Sequence, residues 1–266
     1  MSSTEKGMDL GIAGRIAIVC ASSGGLGRAC AEALVAEGVD VVINGRSRER
    51  LEAAAAHLRS LGCGKVTHVV GDATAAQGQT ALLAACPKPD ILVNNAAGPA
   101  PLYFMDTKAD DWVDAVQGNM LAPLNFLRAV LPGMRARRFG RIINITSAMV
   151  TTPRPHMSMS AGARAGLTAA MRAIALDVAK DNVTINNLLP ERFDTDRQHY
   201  MAQEASKREN ITYEEARARQ VRSIAARRLG DPKEFGATCA FLCSTLAGFI
   251  SGQNVHLDGG SYPGLV

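Results

Sequence analysis

The run Ala21-Ser22-Ser23-Gly24-Gly25-Leu26-Gly27-Arg28 has the composition of a phosphate loop. Glycines let the backbone turn and approach an anion closely. A helix that opens there presents its free N–H groups and positive dipole end to the same anion. Such a cluster gains force when a strand leads into it and a helix leads out. A second constellation is His156, Ser160 and Arg164, spaced by four. On a helix starting at Pro155, which suits a first helical position, all three share one face. An imidazole is a competent acid–base group near neutrality, a hydroxyl donates to a substrate oxygen, and a guanidinium supplies fixed positive charge. Ser147 offers a further hydroxyl.

Positioning these groups falls to an alternation of short β-branched runs and longer Ala-rich stretches with helical period. Strands are expected at Arg15–Cys20, Val39–Asn44, Lys65–Val70, Asp90–Asn94, Gly140–Thr146, Val183–Leu188 and Asn254–Asp258. Helices are expected at Leu26–Glu37, Ser47–Leu61, Gln77–Ala85, Ser158–Ala179 and Pro232–Leu246, with a long helical region from Ala109 through Leu121 to about Arg137. Pro123 should kink that region or cap its second part. Strands separated by helices require right-handed crossovers and a parallel sheet. The phosphate loop then lies between the first strand and first helix. The expected architecture is α/β, a doubly wound Rossmann fold with a parallel sheet of about seven strands, and residues 1–266 form one domain. The charged, helix-prone stretch 191–230 is too long for an ordinary connection and reads as a substrate lid.

Composition narrows the partners. The 266 residues are 47% hydrophobic, 20% charged and 5% aromatic, which excludes disorder, collagen and coiled coil. The net charge of +4 is scattered, and no aromatics interleave with the basic runs, so no nucleic-acid partner is expected. The six cysteines form no metal-ligand pattern and read as buried thiols; no metal is expected. No segment has the length and apolarity of a membrane span or a signal peptide, so a cytoplasmic address is expected.

In its motifs the chain resembles the short-chain dehydrogenase/reductase family over about residues 10–262. The family's GxxxGxG loop matches Gly25-Leu26-Gly27, with Ala21 at the first glycine. Its Asp near the adenine matches Asp72 of Gly71-Asp72-Ala73-Thr74, and its NNAG stretch matches Asn94-Asn95-Ala96-Ala97-Gly98. Asn119 matches the Asn of its active-site helix, and Ser251-Gly252-Gln253 through Asp258-Gly259-Gly260 matches its closing region. The resemblance implies a bound dinucleotide held by Ala21, Ser23, Gly25, Leu26, Gly27, Asp72, Ala73, Asn95, Ala96, Ala97, Pro190 and Thr195. Asp194 takes the place of Thr195 if the register slips by one. At the end of the second strand an acidic residue would accept from a ribose 2′-OH, but Asn44-Gly45-Arg46-Ser47-Arg48 has none. Arg46, with Arg28 or Arg48 as further candidates, would pair with a 2′-phosphate, which favours NADP over NAD.

The family reduces carbonyls with a Ser, a Tyr and a Lys four residues after the Tyr. Ser147 matches the Ser. Thirteen residues on, at the Tyr, stands Ser160, and at the Lys stands Arg164, before Ala165-Gly166-Leu167. A serine hydroxyl is a far weaker acid than a phenol, and arginine stays protonated throughout the useful pH range. His156 is one candidate for the displaced proton-transfer role; Tyr103 and, in the lid, His199 and Tyr200 are others. Where the family has Pro-Gly, this chain has Pro190-Glu191, and Glu191 is expected to pair with Arg164 or Arg192 or to face the substrate. The reading is an NADP(H)-dependent oxidoreductase interconverting a carbonyl and an alcohol on a small polar substrate. Ser147, Ser160, Arg164, His156 and Asn119 form its atypical catalytic set. A nucleotide-binding pseudoenzyme and a lyase or isomerase on the same scaffold stay open as alternatives. The terminal helix, strand and apolar tail Tyr262–Val266 imply a homo-oligomer, dimer or tetramer.

Overall fold

The computed structural model describes residues 8–265, so Val266 of the expected apolar tail lies outside the described residues. The seven strands among the described residues are β1 (Ile16–Val19), β2 (Asp40–Gly45), β3 (Val66–Val70), β4 (Ile91–Asn94), β5 (Gly140–Ile145), β6 (Val183–Pro190) and β7 (Asn254–Leu257). They form one sheet in the order β3-β2-β1-β4-β5-β6-β7, with every pairing parallel. The helices are α1 (Gly25–Ala36), α2 (Arg48–Ser60), α3 (Ala76–Ala85), α4 (Ala109–Val116), α5 (Ala122–Ala136), α6 (Ser158–Val178), α7 (Asp196–Glu209), α8 (Tyr213–Arg222) and α9 (Pro232–Cys243). The strand order reverses between β1 and β4, which opens a crevice at their carboxyl ends.

Both faces of the sheet are covered, as a parallel sheet requires. Alternate residues of one strand serve opposite cores. Ala17 and Val19 pack with Leu34, Leu51 and Phe235 of α1, α2 and α9. Ile18, between them, packs with Leu82, Phe126 and Met171 of α3, α5 and α6. Five of the six cysteines are buried thiols and Cys63 is exposed.

Buried polar side chains fix the register. The Asn94 amide donates to Asn144 (2.9 Å), Asn144 to Asn187 (2.9 Å) and Asn187 to Asn254 (2.8 Å), and each pair stands directly opposite across neighbouring strands. Arg141, 1% exposed, donates to the main-chain carbonyls of Ser244, Gly140 and Asn182 and to the Asn182 side chain.

Three boundaries depart from expectation. The long helical region is broken by a π-helical turn at Gln117–Leu121 before α5, in which Ala122 N–H meets the Gln117 carbonyl. Pro123, at the start of α5, has no N–H to offer the Asn119 carbonyl four residues back, so the turn widens there. β6 runs past Leu188 to Pro190 because Leu189 and Pro190 still pair with β7. α9 stops at Cys243 and not at Leu246, since Ser244 turns extended and its Oγ accepts from Ala247 N–H at 3.2 Å.

The asparagine line yields a stability prediction. Asn144→Leu leaves the Asn94 donor and the Asn187 acceptor buried without partners, each at about 1–3 kcal/mol. Asn254→Ala, at the exposed end, strips only one. Urea unfolding should show a clearly larger loss for Asn144→Leu than for Asn254→Ala.

Candidate active site

β1 delivers the chain to the phosphate loop with Ala21 in the left-handed region, at φ 45°. That geometry costs an alanine roughly 1–2 kcal/mol. Both polar atoms of the Ala21 backbone are engaged in return: its N–H reaches Asn44 Oδ1 at 3.4 Å, and its carbonyl accepts from Asn95 Nδ2 at 3.1 Å. Gly25 turns at φ 57° and opens α1. Gly27 lines neither cavity described below. It lets α1 approach the loop, since a Cβ there would stand 2.5 Å from the Ala21 carbonyl oxygen and 2.8 Å from Asn95 Nδ2.

A cavity of about 830 Å³ gathers most of the expected site. Ala21, Ser23, Gly25 and Leu26 form one wall, Asn95, Ala96 and Ala97 another, and Pro190 and Thr195 border it. Ser147, His156, Ser160 and Arg164 face the same space, together with residues of α7 and α8. An adjoining cavity of about 440 Å³ shares Ala21, Ser23 and Asn95 and adds Arg46, Asp72, Ala73 and Asn119. The two cavities follow the crevice where the strand order reverses.

α6 sets the candidate acid–base groups. His156 sits in a tight turn, Pro155–Met157, just ahead of the helix, while Ser160 and Arg164 lie one turn apart on it. Ser160 is 3% exposed and Arg164 is 7% exposed. Arg164 donates from one terminal nitrogen to the Ile145 carbonyl (2.7 Å) and from the other towards the Ala96 carbonyl (3.4 Å), so it joins the ends of β5 and β4. Its Nε is buried without a partner among the described residues. Burial, then repulsion from Arg197, pushes this guanidinium down to about 10, which leaves it cationic at neutral pH. Burial, then Arg208 and Arg154, lowers His156, so its imidazole is neutral at pH 7. Ser147 Oγ accepts from Met149 N–H at 3.2 Å. Asn119, in the π-helical turn, has a buried Oδ1 without a partner among the described residues.

On the other side, Asp72 accepts from the Thr74 N–H and hydroxyl at 2.8 and 2.7 Å. Burial alone would raise Asp72, but those bonds and the charge of Arg46 hold it below the usual carboxylate range. Arg46 is exposed at the cavity edge. The other two candidates for the 2′-phosphate are engaged elsewhere: Arg28 pairs with Glu32 at 3.1 Å and Arg48 with Glu52 at 3.6 Å.

Glu191 meets Arg192, one of its expected partners, but not Arg164, and adds Arg154. Its carboxylate takes Arg154 at 2.6 Å and Arg192 at 3.5 Å, and Arg164 is spent on main-chain carbonyls. Tyr103 is exposed, with its ring edge-on to His156 at 6.1 Å between centroids. His199 bonds the Tyr213 hydroxyl at 2.6 Å and lines neither cavity. The role of Asn44 was not foreseen. It accepts from Ala21 N–H and donates to the Val69 and Gly71 carbonyls, tying the phosphate loop to the strand before Asp72. Its only sequence signal is an amide at the end of an apolar strand.

The family model described as Enoyl-(Acyl carrier protein) reductase matches residues 20–262. The chain belongs to the short-chain dehydrogenase/reductase family. It is 32% identical over 253 residues to the 3-oxoacyl-[acyl-carrier-protein] reductase FabG of Vibrio harveyi, covering 95% of this chain and 99% of that one. It is 29% identical to the NADPH-dependent reductase BacG of Bacillus subtilis, over 93% of this chain and 97% of that one. The L-sorbose reductase of Gluconobacter frateurii, solved with NADPH and L-sorbose, superposes with a TM-score of 0.91 at 28% identity, covering 97% of this chain and 100% of that one. Among the described residues no helix is long and apolar enough to cross a membrane.

For a member of this family built this way, Gly27→Ala should be a binding defect. The added methyl must push the loop away from α1. NADPH titration should show at least a tenfold loss of affinity, while far-UV circular dichroism stays that of the parent.

Proposed function

We propose that this chain is an NADP(H)-dependent oxidoreductase interconverting a carbonyl and an alcohol, with an altered proton-transfer set. The observation that carries the reading is the shared cavity: two serine hydroxyls, a neutral imidazole and a buried guanidinium face the space beside the phosphate loop and the end of β4. The residues fit a dinucleotide. The loop offers the helix N-terminus to the pyrophosphate, Arg46 meets a 2′-phosphate, and the unpartnered Asn119 Oδ1 leaves an acceptor free beside the cleft. When bound, the nicotinamide supplies or accepts the hydride.

This chain's residues do the rest. Ser147 and Ser160 donate hydrogen bonds to the substrate oxygen and orient it. Ser160 and Arg164 stand where the family's Tyr and Lys stand. Arg164 holds the strand ends and contributes positive charge beside the developing alkoxide. His156, neutral and facing the same cavity, passes the proton through water. The stretch 191–230, with α7 and α8, closes over the substrate as a lid. Exposed Leu246, Phe249 and Leu265 support self-association of the α9–β7 end. A second reading, nucleotide binding without turnover, is favoured by one observation: Arg164 commits both terminal nitrogens to main-chain carbonyls.

Two measurements test this. Arg46→Ala should weaken NADPH about tenfold or more and leave NADH nearly unchanged, following the scale of a charge-assisted hydrogen bond; equal weakening of both removes the 2′-phosphate assignment. NADPH oxidation over a panel of ketones and aldehydes tests turnover. The wild type should reduce a narrow set. Ser160→Tyr combined with Arg164→Lys should widen that set, each single change doing less because the phenol needs the ammonium to lower its pKa. A wild type inert on the whole panel while binding NADPH favours the second reading.

A further inference from the structure

We infer that the substrate carries a carboxylate, and that Arg154 receives it in the same cavity as Ser147 and Ser160. This inference rests on the carbonyl–alcohol reading above and adds its substrate class.

Charge in the cavity is lopsided. Seven arginines line it, against three carboxylates, Glu191, Asp196 and Glu209. Two of those carboxylates are neutralised at the rim. Asp196 pairs with Arg50 at 2.9 Å, and Glu209 meets Arg208 at 2.8 Å and Arg219 at 2.9 Å. Inside, one carboxylate serves two guanidiniums: Glu191, with its side chain 5% exposed, lies 2.6 Å from Arg154 and 3.5 Å from Arg192. Arg192 is further engaged by the Gln220 carbonyl and the Ser223 hydroxyl. Among the described residues Arg154 bonds only Glu191, and about a third of its side chain is exposed. A guanidinium has five N–H donors in a planar fork, so Arg154 keeps a face free for a second carboxylate.

Position agrees with charge. Arg154 lies between the turn that follows Ser147, Ala148–Val150, and the turn that leads into α6. Ser147, Arg154 and Ser160 all line the one cavity. The intervening wall has Met149 and Met157, suited to a short alkyl link between the reacting carbon and the anion. In the reduction a hydride from NADPH forms the new C–H bond. The C=O π pair moves to oxygen, which takes one proton. The products are a hydroxy acid and NADP⁺, and the carboxylate is unchanged throughout.

A purely structural ion pair gives a different expectation from a substrate anchor. If Arg154 and Glu191 only brace one another, removing either partner has the same consequence. If Arg154 is an anchor, Glu191 competes with the substrate, and the two variants act in opposite directions. The experiment measures kcat/KM for 2-, 3- and 4-oxopentanoate, each beside its methyl ester. Wild type should prefer at least one acid to its ester by tenfold or more. Arg154→Gln should erase that preference through KM, and Glu191→Gln should enlarge it. NADPH affinity and thermal midpoints monitor folding in both. Separately, calorimetry on the NADP⁺-loaded protein compares pentanoate with pentanamide. Tighter pentanoate binding, lost in Arg154→Gln, sustains the anchor even if no ketone turns over, in which case the oxidoreductase reading is what fails. Equal binding of acid and amide, or no binding of either, overturns the anchor. So do equal kcat/KM values for acids and esters, or matching effects of the two variants.

Discussion

Four asparagines form an unbroken line of amide–amide hydrogen bonds across β4, β5, β6 and β7. Hydrophobic burial covers both faces of the sheet, but it is tolerant of small shifts between parallel strands rich in Val, Ile and Leu. Amides are not tolerant. A slip of one residue would turn each to the other face and leave its donor and acceptor unpaired in the core. The line therefore measures out the carboxyl edge of the sheet. Asn95, which grips the phosphate loop, follows Asn94 directly. Thr146, whose hydroxyl donates to the Leu188 carbonyl, and then Ser147 follow Asn144 by two and three residues. Pro190 follows Asn187 by three. The depth at which each wall of the cavity begins is set by the same register.

The alternation of elements, the parallel sheet and the phosphate loop were legible because each rests on local pattern: β-branched runs, helical period, glycines at a strand–helix junction. The amide line was not, because its members are 43 to 67 residues apart and each looks like an isolated polar residue in a strand. Arg141 was invisible for the same reason, since its partners are carbonyls brought in by the fold. Pro123 was visible as a disturbance. That its missing N–H would widen the helix into a π-helical turn was not readable from local pattern. For Glu191 the sequence offered three places to go and charge alone could not choose. The fold chose by spending Arg164 on the ends of β4 and β5.

That commitment bears on the chemistry. In the proposed mechanism Ser160 leaves no phenol whose pKa needs lowering, so the cation four residues on is released from that task. Arginine suits a different one. Its fork reaches two carbonyls on neighbouring strands, where a single ammonium reaches one point. The cost is a buried charge with one nitrogen unpaired, and burial lowers its pKa without bringing it near neutrality. The site thus keeps positive charge near the reacting oxygen but has no titrating cation there. In the same proposal the proton travels through another group, and His156, whose pKa is lowered by burial and by the arginines around it, lines that cavity.

The ion pairs of the 191–230 region divide by depth. Arg50–Asp196 and Arg217–Asp194 have half or more of the carboxylate in water, and pairs of that kind contribute roughly 0–1 kcal/mol. Arg154–Glu191 has its carboxylate almost fully enclosed, and separating it would strand a charge at a cost of several kcal/mol. If the proposed lid moves through α7 and α8, the rim pairs would break first and the inner pair would stay assembled. Such a lid would open the cavity without disturbing Arg154. In the proposed scheme, recognition of an incoming anion is thereby separated from the movement that admits it.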